Sequence, residues 1–212
     1  MDHLKDERRR PARARMSGVA LVAVFCLAAA WSAAPCADGQ ARCVVDMQLE
    51  RALGPPYGFE FRSPGALAVD HRQDLLVADE GNHRVVVMTK RGELVTEFGG
   101  YGWEEGQFDG PSDLSVYTGF FTYVLDEGNR RVERFDADGD FVDEIVHEGE
   151  AGSPVAIAVG RSGELLLLDE DSQSLLRLSQ FDEEVEPLGG AGAWRGVFAR
   201  PRALAVGPDG EI

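Results

Sequence analysis

A proline recurs at Pro64, Pro111, Pro154 and Pro201, in steps of 47, 43 and 47 residues, and a whole pattern travels with it. An apolar run follows each proline, and Asp79, Asp126 and Asp169 repeat the 47 and 43 steps. Phe61, Phe108 and Phe198 each stand three residues before a proline. A fixed period of this length is the mark of a repeat architecture, in which each unit hides its apolar faces only against the next one.

The texture inside each unit is that of a four-stranded antiparallel sheet, with short apolar or alternating runs separated by turn residues. In the first unit the strands are expected at Ala66–Val69, Leu75–Ala78, Arg84–Thr89 and Leu94–Phe98. The turn Asp79-Glu80-Gly81-Asn82 returns as Asp126-Glu127-Gly128-Asn129. Gly81 and Asn82 tolerate positive φ, and Asp79 is suited to accept hydrogen bonds from amides of its own turn. No amphipathic helix is legible beyond the first 41 residues, so the fold class is all-β.

Ala-Asp-Glu-Gly-Asn-His-Arg-Val at 78–85 and Leu-Asp-Glu-Gly-Asn-Arg-Arg-Val at 125–132 resemble the signature of NHL repeats. The resemblance runs over residues 44–212. It implies a β-propeller, most often six-bladed, in which each repeat supplies one radial sheet. On it, 61–100, 108–148 and 153–190 are blades and 198–212 opens a fourth. Asp79, Asn82, Arg84, Asp126, Asn129, Arg131 and Asp169 are then structural residues of the repeat turn, since a residue needed once per blade is architecture. The third unit departs from the pattern, with Ser172 and Ser174 at the asparagine and arginine positions, which calls its turn geometry into question.

A propeller closes as a ring. Residues 44–54 read as the outer strand of a blade whose inner strands come later, and three blades plus the start of a fourth leave the ring incomplete. The expectation is an N-terminal fragment of a longer propeller, whose unpaired edges would associate.

Ahead of the repeats, a basic stretch ending at Arg15 precedes the apolar run 19–30 and then small residues at 32–37. That order is the one read for export. Residues 1–41 are therefore an export signal, which makes the product secreted or periplasmic. The alternative is an uncleaved membrane anchor, although the apolar run is short against the roughly 20 residues a spanning helix needs. Cys36 and Cys43 can pair in an oxidising compartment if both survive processing. No cysteine follows Cys43.

The formal charge is −16. An acidic surface repels a phosphate backbone, so nucleic acid is not an expected partner. A protein or a small-molecule ligand is. No Gly-x-Ser-x-Gly elbow, phosphate loop or His-Glu-x-x-His occurs. Beyond residue 41 the histidines are His71, His83 and His147, too scattered for a zinc site, so no metal, cofactor or catalytic residue is assigned. The segment Asp136–Asp140 fails the calcium-loop pattern at its twelfth position, His147, and reads as a hairpin turn. Tyr101, Trp103 and Trp194, near the blade crossings, are candidates to anchor a partner, with packing between blades as the competing role. The residues favour a non-catalytic extracytoplasmic binding scaffold. The alternative is a metal-dependent lyase or hydrolase whose ligands lie mostly outside this chain.

Overall fold

The computed structural model describes residues 60–117, 119–146, 153–178, 185–189, 202–207 and 212. The export segment 1–41, the outer strand 44–54, Cys36, Cys43, His147 and Trp194 lie outside the described residues. Among the described residues, twelve strands form three separate four-stranded antiparallel sheets. The first holds β1 (Pro64–Val69), β2 (Leu75–Asp79), β3 (Arg84–Met88) and β4 (Leu94–Gly99). In the second are β5 (Pro111–Tyr117), β6 (Phe121–Asp126), β7 (Arg131–Asp136) and β8 (Phe141–Val146). The third contains β9 (Pro154–Val159), β10 (Leu165–Asp169), β11 (Ser174–Leu178) and β12 (Val185–Gly189). Spatial order follows chain order in every sheet, so each repeat is one meander blade.

Side chains alternate between the two faces of each strand, and the blades pack through those faces. Between blades 1 and 2 lie Leu76, Ala78, Val85 and Val87 from one side and Leu114, Val124 and Phe135 from the other. Tyr123, Leu125 and Val132 meet Ile157, Leu165, Leu167 and Leu176 between blades 2 and 3. Middle strands β2 and β10 are buried along their whole length, which is why both read as continuous apolar runs.

Pro64, Pro111 and Pro154 each open an inner strand, as expected from the period. Residues 67–69, 113–116, 157–159 and 204–206 line one open cavity of about 330 Å³, the channel side of the array. Leu204 and Val206 pack on the outer face of blade 3, against the cluster of Ala156, Leu166, Leu168 and Leu175. Residues 202–207 are not in a sheet. The expected inner strand at Leu204–Val206 is thus placed beside β9 without a ladder of its own.

Candidate functional site

The repeat turn closes each blade through one buried carboxylate. Asp79 is fully buried; its Oδ1 accepts the Arg62 amide at 2.6 Å, and its Oδ2 accepts Asn82 Nδ2 at 2.8 Å and Arg84 Nε at 3.0 Å. Asp126 accepts the Asp109 amide at 2.8 Å and Asn129 Nδ2 at 2.6 Å in the same way, while Arg131 Nε, 3.5 Å away, pairs with it by charge without a hydrogen bond. Burial raises the Asp126 carboxyl above its ordinary range, against the pull of Asn129, the Asp109 amide and Arg131. The expected partner of Asp79, an amide of its own turn, is replaced by an amide 17 residues earlier. The carboxylate therefore ties the chain entering a blade to that blade's middle hairpin.

The left-handed residue of the turn is also not the one expected. Positive φ falls on His83 (55°), Arg130 (55°) and Gln173 (52°), not on Gly81 or Asn82. Gly81 serves close approach: a Cβ there would stand 2.6 Å from the Arg62 carbonyl oxygen, and at Gly128 it would stand 2.0 Å from that of Asp109. The third blade keeps the turn despite its serines. Gln173 holds the left-handed position, and the Ser172 amide donates to Asp169 Oδ1 at 2.7 Å.

The chain passes from β4 into β5 through a crossing at residues 100–110. Gly99 and Gly100 turn the chain at φ of 107° and 131°, and a Cβ on Gly99 would strike the Phe108 ring at 2.6 Å. The loop that follows is clamped from below by Arg131, whose side chain is 7% exposed. Its guanidinium donates to the carbonyls of Trp103 (3.1 Å), Glu104 (3.0 Å) and Gln107 (2.7 Å). Asn129 Nδ2 adds a bond to the Gly102 carbonyl at 2.9 Å. Glu133, fully buried on β7, accepts the Gly106 amide through Oε1 at 2.9 Å.

Arg131 meets more negative charge than it can neutralise. Glu144 lies 2.7 Å away, Glu133 3.3 Å and Asp126 3.5 Å. Burial is the main cause that pushes the Glu133 carboxyl up to about 7, with Asp126 and Glu144 adding to it and Arg131 opposing. Its Oε2 is buried with no hydrogen-bond partner. The repeat places Val86 and Leu176 at the same position of blades 1 and 3, so Glu133 is an acid where the architecture asks for an apolar residue. That substitution was visible in the sequence as a break in the repeat.

On top of this clamp the loop turns its aromatic side chains outward. Tyr101 is 66% exposed and Trp103 72%, so neither packs between blades. The Tyr101 ring meets His83 edge-on, with centroids 4.9 Å apart. His83 Nδ1 accepts the Gly110 amide at 3.1 Å, which fixes the far end of the same loop.

A second departure lies on the channel side. Asp113 and Ser115 of β5 take the places held by Ala66 and Ala68 in blade 1 and by Ala156 and Ala158 in blade 3. Asp113 Oδ2 accepts the Ile157 amide at 2.8 Å and Ser115 Oγ the Val159 amide at 3.1 Å. Tyr117 donates its hydroxyl to the Arg161 carbonyl at 3.4 Å. Burial raises the Asp113 carboxyl above its ordinary range. The three bonds share one offset of 44 residues; two join inner strand β5 to inner strand β9, and the third reaches the turn that follows β9. Sequence reasoning missed them, although the Asp-x-Ser break in an Ala-x-Ala repeat marked the place.

Among the described residues, no three His, Cys, Asp or Glu side chains converge as a metal-binding set. His71 and Asp136–Asp140 sit at hairpin turns, where Asp136 Oδ1 accepts the amides of Asp138 and Asp140 at 2.9 Å each.

The NHL-repeat family model matches residues 61–88. NHL repeat-containing protein 2 of Bos taurus is 27% identical over 142 residues, covering 56% of this chain and 19% of its own length. The Homo sapiens protein of the same name is 28% identical over 117 residues, covering 51% and 16%. The chain thus spans less than a fifth of these relatives. Among solved structures, the hydrazine synthase of Kuenenia stuttgartiensis superposes with a TM-score of 0.54 at 15% identity, over 74% of this chain and 44% of its own. A streptogramin B lyase gives 0.52 at 20%, over 68% and 45%. Virginiamycin B lyase of Staphylococcus aureus gives 0.52 at 18%, over 66% and 44%. Likeness at this level of identity establishes a shared propeller fold. Residues 61–88 thus match the NHL-repeat family model, and the three described sheets are consecutive blades of a β-propeller fold.

Proposed function

We propose that the chain is a non-catalytic binding propeller that works outside the cytoplasm and holds a protein or small-molecule ligand at the end carrying the β4–β5 crossing. The observation that carries this reading is the crossing loop itself. A buried arginine spends its guanidinium on three loop carbonyls while Tyr101 and Trp103 stay in solvent. Large aromatic side chains on a backbone already fixed are what binding surfaces use, because little conformational freedom is left to lose on association. The repeat turns beneath are architecture, which leaves the loops as the variable part. The extracytoplasmic placement is supported by the basic, apolar and small segments within residues 1–37.

Site-directed photocrosslinking tests the assignment. The full chain with a photoreactive phenylalanine analogue at position 103, expressed in its host, should give discrete adducts in the extracytoplasmic fraction. The same analogue at Val142, exposed on β8, should give none. Equal adduct yields at both positions, or none at 103, would remove the reading.

A further inference from the structure

Resting on that reading, the chemistry of the loop narrows the partner. The two residues that follow Trp103 are Glu104 and Glu105, both exposed. Glu127, on the turn whose amide donates to the Gly110 carbonyl, is also exposed, and Glu80 reaches Gly110 from the other side. The exposed cation on the same turn is Arg130. Under the loop, one guanidinium faces the three carboxylates of Asp126, Glu133 and Glu144, and Glu133 Oε2 is left without a hydrogen-bond partner. Negative charge of the exposed Glu104 and Glu105 therefore lies beside two outward aromatic rings.

An aromatic face attracts a cation through its quadrupole, and adjacent carboxylates add to that attraction. An anionic or neutral apolar ligand would instead meet like charge or leave the carboxylates desolvated and unpaired. We propose that this loop docks a cationic peptide segment, with a Lys or Arg side chain of the partner held against Trp103 and Tyr101 and its charge met by Glu104 and Glu105. The clamp beneath the loop already fixes its backbone, so docking leaves little of it to order.

Fluorescence anisotropy on the full chain provides the test, with a fluorescein-labelled Lys-Arg-Gly-Lys-Arg-Gly hexapeptide as probe. A Ser-Ser-Gly-Ser-Ser-Gly peptide and a Glu-Glu-Gly-Glu-Glu-Gly peptide serve as controls. The basic peptide should bind and the controls should not. The double variant Tyr101→Ala/Trp103→Ala should weaken binding by about 10-fold or more. Glu104→Gln/Glu105→Gln should weaken it by about 5-fold and flatten its salt dependence. The thermal midpoint should stay in place in both variants, since all four side chains are exposed. Equal binding of the control peptides, or no binding of the basic one, overturns the inference. Binding that survives Tyr101→Ala/Trp103→Ala overturns it too, because it would be diffuse attraction to a chain of charge −16. Crosslinks at position 103 that persist while the basic peptide fails would spare the binding loop and discard only this partner chemistry.

Discussion

Glu133 shows how one side chain can hold a loop and burden a blade at once. Its carboxyl is raised to about 7 from an ordinary 4.5, chiefly by burial. An acid whose folded value lies above its unfolded one favours folding while it is protonated. That contribution is complete below the unfolded value of about 4.5 and is lost as pH rises through about 7. Glu133→Gln keeps an acceptor for the Gly106 amide and removes the titration. The two proteins should therefore have similar urea midpoints near pH 4.5. By pH 8 the variant should be the more stable, by on the order of 2 kcal/mol. Chemical denaturation across that range measures the difference directly. A constant gap between the two at every pH would mean that Glu133 keeps an ordinary carboxyl in the folded chain. Asp113 and Asp126 are also raised by burial and titrate in both proteins, so the comparison cancels them to first order.

At the scale of the strand, what could be read from the sequence was whatever depends on local pattern. β1 to β4 fall within two residues of their expected bounds because apolar runs and Gly-containing turns are properties of neighbouring residues. The details that escaped are those set by chain far away. Gly81 is small because the Arg62 carbonyl passes over it, and nothing in Asp79-Glu80-Gly81-Asn82 records that approach. The Arg131 clamp joins residues 24 to 28 apart, and the ladder from Asp113, Ser115 and Tyr117 spans 44. The ladder, however, left a trace in Asp113 and Ser115, and the clamp in the neighbouring Glu133, each a residue type foreign to its repeat position. The ladder gives the prediction at this scale. Restoring the repeat with Asp113→Ala/Ser115→Ala frees the Ile157 and Val159 amides on the channel edge of β9. Those two amides should lose at least about tenfold in hydrogen-exchange protection, and the blade about 1 kcal/mol per bond. The same pair of alanines occurs at 66 and 68, so packing itself tolerates them. Unchanged exchange at Ile157 and Val159 would show that the ladder does not protect that edge.

At the scale of the whole array, cohesion comes from faces shared by successive blades, with apolar clusters between blades 1 and 2 and between blades 2 and 3. Such an array has a stability close to a sum of unit and nearest-neighbour terms, so damage should spread by adjacency and fade with distance. Leu167 is fully buried on β10 and faces blade 2, in the cluster with Tyr123, Leu125 and Val132. Leu167→Ala leaves a cavity there and should cost about 2–5 kcal/mol. It takes contacts from blade 3 directly and from the facing side of blade 2. Blade 1 keeps its own contact with blade 2 through Leu76, Val85, Leu114 and Phe135, none of which touches the vacated space. Hydrogen exchange followed by mass spectrometry should therefore rise most in β9–β11, less in β5–β7, and least in β1–β4. The polar ladder lies on the same junction, so Leu167→Ala combined with Asp113→Ala/Ser115→Ala should cost a different amount from the sum of the two. Protection lost to the same degree in all three blades would mean that the array opens as a single cooperative unit. Additive costs would mean that the apolar and polar halves of the junction hold independently.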